Sequence, residues 1–116
     1  MEINVISEDE QITDIALSGR LDIAGMHEIE LKFIAHTASR GKPVLIDMEG
    51  VDFISSIGLR MILSSAKTLK KRDSIMLLYN LQPLVREIFS HAGLESLLAH
   101  SDSKADVIIE LTGKQS

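Results

Sequence analysis

Two adjacent hydroxyls, Ser55 and Ser56, stand where a polar stretch gives way to an apolar periodic one. A serine at a helix start either caps the helix or offers a hydroxyl to which phosphate can be added. Free backbone N–H groups and the helix dipole tolerate negative charge there. Arg60 follows Ser56 by one helical turn, placed to meet a partner, a phosphate or solvent. Asp47 and Asp52 precede the serines, and Asp22 precedes another helical stretch. Two carboxylates five positions apart could hold Mg²⁺, but in such a segment they more commonly serve turns and caps.

Other chemistry finds little support. His27, His36, His91 and His100 lack a metal-binding spacing such as H-E-x-x-H. Gly50 and Gly58 are not followed by the Gly-Lys-Ser/Thr of a phosphate-binding loop. No G-x-S-x-G elbow surrounds either serine, so neither reads as a hydrolase nucleophile. No metal or cofactor site is expected, and the chain reads as a non-enzyme. Taken alone, Ser55-Ser56-Ile57-Gly58 would read as a helix cap. Its setting favours function, because a continuous apolar strand and a clearly amphipathic helix hold the junction rigidly.

The positioning elements follow from periodicity. Ile3 and Val5, then Ile12, Ile15 and Leu17, predict two strands joined as a hairpin across Glu8-Asp9-Glu10. Gly19-Arg20-Leu21-Asp22 ends the second strand, and Asp22 caps a helix over Ala24–Ala38 with Met26, Ile29, Phe33 and Ile34 on its apolar face. Gly41 and Pro43 stop that helix. Pro43–Met48 predicts a strand buried on both faces, followed by a short polar loop. Leu59, Ile62, Leu63, Ala66 and Leu69 mark a second helix from about Ser56 to Lys71, whose terminal Lys70, Lys71 and Arg72 suit the dipole. Ile57 and Met61 fit either an apolar contact patch or the core. Ile75–Tyr79 is a further strand. Pro83 opens a third helix with Leu84, Val85, Ile88 and Phe89 inward, and Gly93 suits its end. A short strand is expected near Leu97. Ser103-Lys104-Ala105-Asp106 resembles a capping box that opens a last helix.

The expected fold class is therefore α/β: one domain over residues 1–116, with a mixed, mostly parallel sheet of 4–5 strands and about four helices. The order is β-β-α-β-α-β-α-(β)-α. The 116 residues suit one compact domain. With 45% hydrophobic residues and 3% aromatic ones, the core must come from aliphatic side chains. The net charge of −5 weighs against nucleic-acid binding. The absence of cysteine excludes disulfides and thiol chemistry. No apolar run reaches the length of a membrane span, and the start lacks a signal-peptide pattern. The expected location is cytoplasmic, without direct membrane insertion.

Several motifs carry a resemblance over nearly the whole chain. They are Gly19-Arg20-Leu21-Asp22, Val44-Leu45-Ile46-Asp47-Met48, Phe53-Ile54-Ser55-Ser56-Ile57-Gly58-Leu59-Arg60, Asn80-Leu81-Gln82-Pro83-Leu84-Val85-Arg86 and Ala92-Gly93-Leu94. Together they resemble the STAS family, the sulfate-transporter and anti-sigma-factor-antagonist domains, and specifically its free-standing bacterial antagonists. The resemblance implies that Ser56 is the phosphorylated residue. Ser55 stands where the best-known members have Asp and becomes a second candidate acceptor; a related branch shares I-S-S-x-G-L-R. Asp22, Asp47, Asp52, Ser55, Ile57, Gly58, Arg60 and Met61 form the expected surroundings and partner surface. The implied activity is partner switching. The unmodified chain binds an anti-sigma factor that is also a serine kinase of the histidine-kinase-like ATPase fold, releasing a sigma factor or other client. Phosphorylation switches binding off, and a PP2C-type serine phosphatase restores it. The alternative is a non-phosphorylated STAS scaffold or a subunit of a transporter or stress-signalling complex.

Overall fold

The computed structural model describes residues 1–91 and the backbone of 99–101. The elements run β1 (Glu2–Glu8), β2 (Thr13–Leu21), α1 (Ile23–His36), β3 (Val44–Ile54), α2 (Ser56–Lys71), β4 (Met76–Tyr79), α3 (Pro83–His91) and β5 (Ala99–Ser101). They form the expected α/β arrangement, a five-stranded sheet in the order β1-β2-β3-β4-β5. β1 pairs antiparallel with β2, and every later pair is parallel. The expected strand near Leu97 is β5, slightly later in the chain. The helix expected from Ser103, and Gly93, lie outside the described residues.

A helix bridges each parallel pair. Right-handed crossovers that advance in one direction leave α1, α2 and α3 on one face of the sheet. Strand parity agrees. Ile15 and Leu17, Ile46 and Met48, and Met76 and Leu78 share a core with Phe33, Ile62 and Phe89. Leu45, Leu77 and Tyr79, of opposite parity, gather on the other face. There the Tyr79 hydroxyl donates to Asp14 Oδ1 at 2.9 Å. Burial, and then the neighbouring Asp14 carboxylate, raise the phenol above its usual range.

The first hairpin closes on Asp9. Its Oδ1 accepts from the backbone N–H groups of Gln11 and Ile12 at 2.7 and 2.9 Å. A side chain thus satisfies turn donors that the ladder cannot. These bonds hold the Asp9 carboxyl below the usual carboxylate range.

Three expectations change. β3 does not yield to a loop after Met48 but continues through Ile54. Its partner β2 runs alongside, and two register shifts let the 11 residues of β3 match the 9 of β2. Val51 and Ile54 are buried, which rewards the extension. Helix α1 ends at His36, where the Thr37 hydroxyl bonds the Phe33 carbonyl. Ile34 and Leu84 are exposed rather than inward. Each sits at the margin of its helix's apolar stripe, beyond the reach of the sheet.

Candidate functional site

The site lies at the carboxyl ends of β2 and β3, where α1 and α2 begin. Ligand sites in open parallel sheets favour such ends, since helix starts converge there. The Leu21 carbonyl organises it. That oxygen accepts from the Ser55 backbone N–H at 2.9 Å and from the Ser55 hydroxyl at 3.1 Å. Ser55 Oγ in turn accepts from the Gly58 N–H at 3.2 Å. With φ −91° and ψ 170°, Ser55 is the N-cap of α2. Its hydroxyl is committed as donor and as acceptor.

Ser56 is the first residue of α2 and is exposed. No described residue engages its hydroxyl in a hydrogen bond. The two serines therefore differ in kind. A phosphate on Ser55 would lose the donor to Leu21 and set an anion beside that carbonyl. A phosphate on Ser56 would project into solvent from a helix start.

Gly58 is needed for the close approach. A Cβ there would lie 2.6 Å from the Leu21 oxygen and 2.7 Å from Leu21 Cγ. Asp22 caps α1, with Oδ1 accepting from the Gly25 N–H at 2.8 Å. That bond, helped by Arg20 at 3.6 Å, holds its carboxyl below the usual range. This contribution is present above the ordinary carboxylate pKa and fades as pH falls below it. Arg20 also lies over the Phe53 ring, 4.3 Å from its centroid. Arg20 and Phe53, which stand in the sequence motifs but not among the expected site residues, join the site. Their adjacency to the cap and the serines was the available signal.

The remaining candidates separate. Asp47 works at the β3–β4 junction, where Oδ1 accepts from the Glu49 N–H at 2.9 Å and from Asn80 Nδ2 at 3.3 Å. Asp52 is exposed on β3, without a hydrogen bond or ion pair to a described residue. Among the described residues, no three His, Asp or Glu side chains gather as metal ligands. Ile57 is half-buried and packs against the core. Met61 is 7% exposed and belongs to the core, showing one edge in a groove between α1 and α2. Arg60 is exposed beside that groove. No helix among the described residues is long and apolar enough to cross a membrane.

The STAS domain profile matches residues 5–112, which spans every element of this site. The chain belongs to the STAS family. BtrV of Bordetella bronchiseptica, a candidate anti-sigma factor antagonist, is 32% identical over 88 residues, 76% of each chain. In structure, the chain is similar to a candidate antagonist from Thermotoga maritima, with TM-score 0.84 at 15% identity over 95% of this chain and 94% of that one. It is also similar to the anti-sigma factor antagonist SpoIIAA in its unphosphorylated form. That match has TM-score 0.77 at 19% identity over 99% and 100% of the two chains. SpoIIAA has also been solved phosphorylated, and that form matches with TM-score 0.67 at 21% identity over 94% and 98%.

The division of labour between the serines has a direct consequence for stability. Ser55→Ala removes the cap of α2 and one bond to Leu21. A loss of about 1–2 kcal/mol is expected in urea unfolding. Unchanged stability would remove the capping role assigned to Ser55.

Proposed function

We propose that this STAS domain is an anti-sigma factor antagonist whose partner binding is switched off by phosphorylation of Ser56. The observation that carries the reading is the contrast between the locked Ser55 hydroxyl and the exposed Ser56 hydroxyl at the first position of α2, which no described residue engages. The antagonist name of BtrV and the two solved states of SpoIIAA support it.

In this reading the partner is an anti-sigma factor with a serine-kinase ATPase domain. The kinase holds ATP and Mg²⁺ in its own site. Ser56 Oγ forms a bond to the γ-phosphorus as the bond to the ADP oxygen breaks, and the hydroxyl proton leaves to a base of the kinase. A PP2C-type phosphatase then hydrolyses the phosphoserine. The chain acts in the cytoplasm, where ATP is available, as substrate and switch rather than catalyst. Asp22, Arg20 and Gly58 position the junction without taking part in the transfer.

Phosphosite mapping of the protein recovered from cells tests this directly. Phosphate is expected on Ser56. Modification confined to Ser55 would overturn the assignment. Capture of transporter subunits equally by Ser56→Ala and Ser56→Asp baits would favour a constitutive scaffold instead.

A further inference from the structure

A groove of about 440 Å³ runs between α1 and α2, away from the Ser55–Leu21 hydrogen bonds. Met26, Ile34, Ile57 and Met61 supply its apolar surface, and the short side chains of Ser64 and Ser65 keep it open. On the α1 side the apolar surface continues outward. Leu31 is 84% exposed, one turn before the exposed Ile34.

The α2 side has a different character. Ser56, Arg60, Ser64, Lys67 and Lys71 recur at helical spacing and are all exposed, so they share one face. Helix α2 contains no Asp or Glu, although the chain carries a net charge of −5. Arg60, Lys67 and Lys71 make no ion pair with a described residue. Among the described residues, Glu30 is the carboxylate lining the groove, on the α1 wall. The groove is thus apolar within, cationic along the α2 rim and, apart from Glu30, apolar along the α1 rim.

We infer that this groove is the docking site for an amphipathic, carboxylate-rich helix of the partner protein, which deepens the switch reading above and rests on it. The apolar ridge of that helix seats on Ile34, Ile57 and Met61, and its acidic flank lies along Arg60, Lys67 and Lys71. The 16 residues of α2 span about 24 Å, enough for a partner helix of about four turns. Charge complementarity selects the occupant. A basic helix would meet three like charges, which disfavours the wrong partner more strongly than it strengthens the right one. The same face explains how phosphate on Ser56 could act without moving the fold. It stands one turn before Arg60, competes for that guanidinium, and repels the incoming carboxylates.

The test uses two synthetic helical peptides of about 18 residues, a length that covers α2. Both carry leucine at i, i+3, i+4 and i+7. One bears glutamate at the outer positions and its twin bears lysine. Each is titrated into the isotope-labelled full chain and followed by two-dimensional NMR. The acidic peptide is expected to shift the Ile34, Ile57, Met61 and Ser64 amides and to bind at least about tenfold tighter than its twin. The Arg60→Glu/Lys67→Glu variant should lose that preference while keeping a folded spectrum. Equal binding of the twins, or shifts confined to another surface, would overturn the inference. So would anionic phosphatidylserine vesicles that shift these amides while the acidic peptide does not. Groove binding by the acidic peptide without any phosphate on Ser56 in cells would support the docking surface and defeat the switch. Phosphate on Ser56 with no groove binding would do the reverse.

Discussion

Protein carrying phosphate on Ser56 is expected to bind the proposed anti-sigma partner at least about a hundredfold more weakly than unmodified protein, a difference of about 2.7 kcal/mol. The magnitude follows from electrostatics at the interface. Phosphate adds about 1.5 to 2 negative charges near neutral pH. Pressed against the acidic flank of a partner, such a group loses hydration and meets like charge, which together exceed the required energy even with Arg60 one turn away. The free protein does not bear that cost, because Ser56 is exposed at a helix start where N–H groups and the dipole favour an anion. The melting temperature should therefore stay within about 4 °C of the unmodified value, corresponding to under about 1 kcal/mol. Isothermal titration of both forms, with calorimetric unfolding beside it, separates the two effects. Equal affinities would sink the switch. Weakened binding with a large drop in melting temperature would show that phosphate disrupts the fold instead.

Gly58→Ala is expected to destabilise the protein by about 2–3 kcal/mol, although alanine is the better helix former. The propensity gain is about 1 kcal/mol. Against it stands a Cβ placed 2.6 Å from the Leu21 backbone oxygen, a contact that real side chains do not make. Relief requires α2 to move away from β2. Overpacking of this kind costs about 1–3 kcal/mol. Moving the Leu21 carbonyl also weakens both bonds it accepts from Ser55, at about 0.5–1.5 kcal/mol each. Those losses exceed the propensity gain. Urea unfolding measures the net effect, and stability equal to or above wild type would remove the close-approach argument. Partner binding should weaken too, since Ser56 is carried on the displaced turn.

The elements that were legible in advance are those whose causes are local. The bounds of α2 follow from an apolar stripe over Leu59–Leu69, a serine start and a basic end, all within one helix. Pro83 opens α3 for a reason contained in its own ring. The continuation of β3 was not legible, because Glu49 and Gly50 read as loop residues. Only pairing with β2, with its two register shifts, makes them strand. The exposure of Ile34 and Leu84 is not legible in the sequence for a related reason. Helical periodicity gives the direction of an apolar face but not how far the neighbouring surface reaches around it.

The candidate site divides along the same line. Residue types and spacing alone placed two serines, a glycine and an arginine at a strand-to-helix junction, and motif resemblance named Ser56 as the acceptor. What separates Ser55 from Ser56 is a carbonyl 34 residues earlier in the chain, that of Leu21, which takes the Ser55 hydroxyl, whereas no described residue engages the Ser56 hydroxyl. The stacking of Arg20 on Phe53 depends likewise on pairing between β2 and β3. Met61 lies inward because the sheet lies beneath that side of α2. Helix caps and periodicity act over a few bonds and can be read from neighbouring residues. Hydrogen bonds across strands and the burial of a helix face depend on which distant segments meet, so the tertiary fold decided them.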